Sequence, residues 1–203
     1  MSEILQPGKL AGLRSGPDVS PHLATMVGEI VAGQGFPVRL GPGESTDPVR
    51  LEADRLPVLL VEALVAGGPE RVVWVSAGSE LLVEVPATQV EVLDGMLVVG
   101  LRVVCEQTGE GDLSVVLVVG AEPTGVPLIV VSGVFGPPLV QLRWADAAAA
   151  AACAAVLRVG VAAAAATGPL DRPGQWNRLA SLWAEPGTLL LAARTPYGWE
   201  LTR

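Results

Sequence analysis

The chain has 203 residues, half of them hydrophobic and 17% charged, with a net charge of −8 and a mean hydropathy of +0.49. So apolar a chain buries enough surface to offset its ordering entropy, which excludes intrinsic disorder. Two cysteines exclude a disulfide scaffold, one histidine excludes a His-rich metal centre, and the acidic balance argues against a nucleic-acid binder, which needs a cationic face.

The thirteen basic residues are all arginine except Lys9, and glycine and proline number 24 and 17. With heavy alanine and valine use, this is the composition of a GC-rich bacterial genome. The first twenty residues hold no apolar core flanked by positive charge and do not read as a secretory signal. A cytoplasmic setting is the expectation, and Cys105 and Cys153 then read as free, buried thiols.

Residues 1–19 read as a flexible leader, and 20–203 as a single domain. A first helix is punctuated by Ser20 as N-cap and Pro21 at its first position. Leu23, Met26, Val27, Ile30 and Val31 form one face, and Gly33 stops it. A short strand is expected at 36–40. A second helix fits 55–66, with Leu56, Leu59, Leu60, Ala63 and Leu64 as its stripe.

The middle of the chain predicts strands at 71–76, 80–85, 90–93, 96–106, 113–121 and 126–135, with another at 139–144. Asp94-Gly95 is a hairpin signal. Such short connections imply an antiparallel meander, because parallel pairing needs long crossovers. Leu97, Val99, Leu101, Val103 and Cys105 share one strand face. The opposite face carries Val98, Gly100, Arg102, Val104 and Glu106, and in the next strand Ser114, Val116, Val118 and Gly120. A sheet with one wet face should alternate more cleanly. The second face is therefore expected to be covered in part, by a helix or by a second protomer.

A long Ala-rich helix follows at 145–166, with Cys153, Val156, Leu157 and Val161 as its bulky stripe. It is long enough to span a bilayer, but alanine is a weak insertion driver and Arg158 sits near its middle. A buried helix is the better reading. A short helix at 174–184 and a hairpin of 188–194 with 198–203 close the chain. The fold predicted is α+β: an antiparallel meander of five to seven strands with two N-terminal helices, the Ala-rich helix, and a C-terminal helix plus hairpin.

No motif carries a reaction on its own. The run Gly41–Thr46 lacks the lysine of a phosphate loop and reads as a surface loop. His22 has the right titration range for a base but sits at a helix start. Glu80 and Glu84 share one strand face and are the best carboxylate pair. Arg102 interrupts an apolar strand, so it is either paired or an anion site. Arg158 is expected to pair with Glu106 or Glu84. Trp176, Trp183, Tyr197 and Trp199 crowd the C-terminus and either pin it to the core or mark an interface.

These residues favour a non-catalytic interaction or assembly subunit, self-associating or bound to another protein, with no cofactor, no metal, no nucleic acid and no membrane. Val98, Val104, Val116, Val118 and Trp199 are its candidate interface. The alternative is a small-molecule enzyme or binder with a pocket between sheet and helices, using His22, Glu84, Glu91 and Arg102. A second alternative is a secretion or virion accessory subunit of chaperone-like type.

Overall fold

In the computed structural model, residues 19–36, 45–65, 71–76, 79–121, 127–168 and 177–195 are described. They form an α+β fold of three helices and two antiparallel sheets. In chain order the elements are α1 (Pro21–Ala32), β1 (Val49–Glu52), α2 (Leu56–Val65), β2 (Arg71–Ser76), β3 (Ser79–Leu93), β4 (Met96–Cys105), β5 (Gly109–Ala121), β6 (Pro127–Phe135), α3 (Pro138–Ala166), β7 (Arg178–Glu185) and β8 (Thr188–Arg194). Strands β2 to β6 make a five-stranded meander in sequential order, as their short connections require. The other three strands make a small sheet in the order β1-β8-β7.

α1 begins where its punctuation says. Ser20 Oγ accepts from the backbone N–H of Leu23 at 3.1 Å, and Pro21 fills the first helical position. Leu23, Val27 and Val31 are its buried stripe. The Ser20 hydroxyl also donates to Glu62 Oε1 at 2.6 Å, which ties α1 to α2.

One face of the large sheet makes the core. Leu81, Val83, Leu97, Val99, Leu101, Val103, Leu113, Val115 and Leu117 are each almost fully buried, beneath α2, α3 and β7. α3 lies centrally, against α1 and α2 and against strands of both sheets. The two sheets are also joined at their turns: Gly95 N–H donates to the Ala184 carbonyl at 2.9 Å, and Gly187 N–H to that of Val92 at 3.0 Å. Both glycines sit at positive φ, 68° and 81°, where other residues are strained.

Several expectations are corrected. Residues 178–184, expected within a helix at 174–184, lie in strand β7. Its register slips between Leu179 and Ser181, so the apolar residues on either side of the slip stand three apart and imitate a helical period. Residues 139–144, expected as a strand, are the first turns of α3, opened by Pro138, with Val140 and Trp144 buried four residues apart. The expected strands at 80–85 and 90–93 are one strand, β3, with an irregularity between Glu84 and Gln89. β1 was not foreseen, and β8 pairs with β7 and β1. The expected stripe of α3 is also revised. Val156 is buried, but Cys153, Leu157 and Val161 are half-buried, while Ala148, Ala152, Ala155 and Ala163 take the core positions. Small side chains there let neighbouring elements approach closely; at Gly160 an added Cβ would stand 2.8 Å from Leu179 Cδ2.

The strand expected at 36–40 (except Phe36), the final strand at 198–203 and, except Val19, the leader at 1–19 lie outside the described residues.

Candidate functional site

The outer face of the large sheet is the surface that the alternation pointed to. In register across β3, β4, β5 and β6 it carries Glu91↔Val98↔Val116↔Gly133, Leu93↔Met96↔Val118↔Val130 and Gln89↔Gly100↔Ser114↔Phe135. Gly120 and Leu128 extend it by one further pair. These valines project from the same strands that bury Val99 and Val115 below, so their position follows from period-two alternation. No described element buries them: Val118 is 39% exposed, Val130 43% and Phe135 59%. The Phe135 ring leans back over Gly133, where a Cβ would stand 3.0 Å from it.

At the other end of the same face sits an ion cluster. Arg102 lies opposite Glu84 on β3 and Asp112 on β5. Its Nε stands 3.3 Å from Glu84 Oε2, its Nη2 3.1 Å from Glu110 Oε2, and its Nη1 3.7 Å from Asp112 Oδ1. All three nitrogens face carboxylates, so Arg102 is paired and has no nitrogen left for an anion. The cluster carries three carboxylates to one guanidinium and is half-exposed, where such pairs contribute little stability.

Of the four candidate pocket residues, the structure therefore unites Glu84 and Arg102 and separates the others. His22 is exposed on the first turn of α1, and Glu91 is exposed on β3 opposite Val98. Of the candidate interface, Val98, Val104, Val116 and Val118 share the outer face, and Trp199 lies outside the described residues, as do Trp176, Tyr197, the loop 41–44 and the side chain of Glu80. Trp183 is half-buried on β7. Among the described residues no group of three or more His, Cys, Asp or Glu is placed to hold a metal ion.

Arg158 does not pair with Glu106 or Glu84; its Nη1 donates to the Ala63 carbonyl in the last turn of α2. α3 is the one described helix long and apolar enough to cross a membrane, and 56% of that stretch is buried within the fold.

Sequence reasoning missed two polar constellations. Asn177 Nδ2 donates to Thr167 Oγ1 at 2.9 Å and Thr195 Oγ1 donates to Asn177 Oδ1 at 3.2 Å, joining the end of α3 to the small sheet. The second surrounds Cys105, at the end of β4. Its thiol faces Gln107 Oε1 at 3.6 Å, and Thr108 and Trp144 stand beside it. Burial alone would push this thiol up. The Thr108 hydroxyl, the backbone N–H groups of Gln107 and Thr108 and the Trp144 indole N–H outweigh burial and hold it below the ordinary thiol range. Cys153, half-buried on α3 among apolar neighbours, is pushed up to about 11 by desolvation.

No family model matches the chain, and no curated protein matches it. Among solved structures it is similar to one titled "Crystal structure of lipopolysaccharide binding protein", at 12% identity, with 77% of this chain and 50% of that chain covered and a TM-score of 0.24. The chain thus spans half the length of that one. A likeness at this TM-score carries no argument about fold or function.

Proposed function

We propose that the protein is a non-catalytic assembly subunit that self-associates through the outer face of its five-stranded sheet. The observation that carries this reading is the exposed apolar row of Val118, Leu128, Val130 and Phe135, flanked by the half-buried Val98 and Val116, on a face that a monomer would leave in water. A second copy of the same chain is the occupant that fits. One end of the face is apolar, and the same patch on a second copy can meet it about a two-fold axis. β6, at the sheet edge, carries no charged residue, although edge strands that stay monomeric are commonly guarded by charge.

The ion cluster sets the orientation. Its excess negative charge repels an identical cluster, so the two sheets pack with their valine ends overlapped and their Arg102 clusters apart. Both cysteines are free, which suits the reducing cytoplasmic setting that the proposal carries. His22 and Glu91 stand apart from the Glu84–Arg102 pair, and this separation supports a binding role over a catalytic one.

The test is solution mass by light scattering after size-exclusion chromatography, at two protein concentrations. A dimer that Val118→Lys or Val116→Lys converts to a folded monomer is the expected result. A wild-type monomer at both concentrations overturns the proposal.

A further inference from the structure

Beyond the sheet face, two polar atoms where the β4–β5 turn meets α3 are buried without a hydrogen-bond partner, Thr108 Oγ1 and Trp144 Nε1. A buried donor left unpaired is unfavourable and calls for an explanation. Trp144 is fully buried, the largest such side chain in the core. Both groups stand beside the same atom, the sulfur of Cys105, and neither makes a regular hydrogen bond to the neutral thiol. What the pair lacks is an acceptor in the place where that sulfur, or an oxygen added to it, would supply one. Thr108 also lines an open cleft of about 360 Å³ with Leu139, Leu142 and Arg143. Thr108 is thus shared by the cleft and by the surroundings of the sulfur, whose residue is itself 2% exposed.

Independently of the self-association above, we propose that Cys105 is a site of oxidation by a small hydroperoxide, with the Trp144 indole N–H and the Thr108 hydroxyl holding the oxygen added to its sulfur. The sulfur attacks one peroxide oxygen; the S–O bond forms as the O–O bond breaks. The departing hydroxide takes the thiol proton and leaves as water, so a thiol and hydrogen peroxide become a sulfenic acid and water. The sulfur is oxidised by two electrons and the peroxide is reduced by two. Donors aimed at the sulfur favour the attacking thiolate and then the oxygen it gains. Cys153, half-buried against the apolar core and raised by desolvation, serves as the internal control.

The experiment treats the full chain with limiting hydrogen peroxide in the presence of dimedone, which traps sulfenic acids, and maps the adducts by peptide mass spectrometry. Cys105 is expected to label about tenfold faster than Cys153. Trp144→Phe, which keeps the ring and removes the N–H, and Thr108→Val, at a half-buried position, are each expected to slow Cys105 labelling by roughly three- to tenfold. The Cys153 rate should be unchanged in both, which separates a local effect from general loosening. Equal or preferential labelling of Cys153 overturns the proposal. So does an unchanged Cys105 rate in a folded Thr108→Val variant, whatever Trp144→Phe does to folding.

Discussion

Arg158, in the middle of α3, donates from Nη1 to the Ala63 carbonyl at 2.8 Å, 95 residues earlier in the chain. Ala63 lies in the last turn of α2, where carbonyls have no helical partner and the helix end carries partial negative charge. A guanidinium there satisfies an orphan acceptor and meets the dipole. A charge within an Ala-rich helix is thus part of how that helix docks.

Replacing Arg158 with Met tests the contact. A charge-assisted hydrogen bond is worth about 1.5–3 kcal/mol. The loss is offset in part because Nε of Arg158 is itself buried without a partner. The expected cost is about 1 kcal/mol, read as a lower urea midpoint at unchanged slope.

Ser20 does two jobs with one hydroxyl, capping α1 and reaching Glu62 on α2. Ser20→Ala removes both and is expected to cost about 1–2 kcal/mol. Glu62→Gln keeps an acceptor oxygen at the same place and should cost less. An equal loss from the two variants in denaturant titrations would contradict this division.

What could be read from the sequence was what neighbours along the chain decide. Ser20-Pro21 and the spacing of Leu23, Val27 and Val31 specify α1 without reference to the rest. The two-residue alternation of 97–105 and 113–119 separates core from outer face within each strand. β7 was misread because its register slip at Leu179–Ser181 spoils the very period that marks a strand. β1 is four residues long, and Val49 and Leu51 become strand residues only against Leu191 and Leu189. The Arg102 cluster was half legible: the interruption of an apolar strand showed that something must meet it, but its three partners come from pairing registers. The donors around Cys105 were invisible, since Trp144 reaches it from a helix that the sequence had rendered as a strand.

Gly136 and Gly120 make a matched pair. A Cβ at Gly136 would stand 2.7 Å from the Asp112 carbonyl oxygen and 2.7 Å from Leu113 Cδ2. The carbonyl is fixed in β5 and cannot yield. Gly136→Ala is expected to cost about 1–3 kcal/mol by overpacking. At Gly120, on the outer face, nothing lies within 4 Å of the added carbon. Gly120→Ala is expected to be neutral or to stabilise by up to about 1 kcal/mol, since glycine is a poor strand residue. Thermal midpoints of the two single variants should move in opposite directions or differ by several degrees.

Cys153 gives the fold an alkaline limit. Desolvation raises its thiol to about 11 from an ordinary value of 9.0. Below pH 9 the thiol is protonated in both folded and unfolded chains and costs nothing. Between 9 and about 11 the unfolded chain releases the proton while the folded chain keeps it. The folded state then binds more protons, and stability falls as pH rises. Cys153→Ala removes this group and should flatten the decline across that window, at the expense of some packing at every pH. Unfolding midpoints at pH 8, 9 and 10 for the two proteins provide the check: parallel curves would mean that the thiol ionises as readily in the folded chain as in the unfolded one.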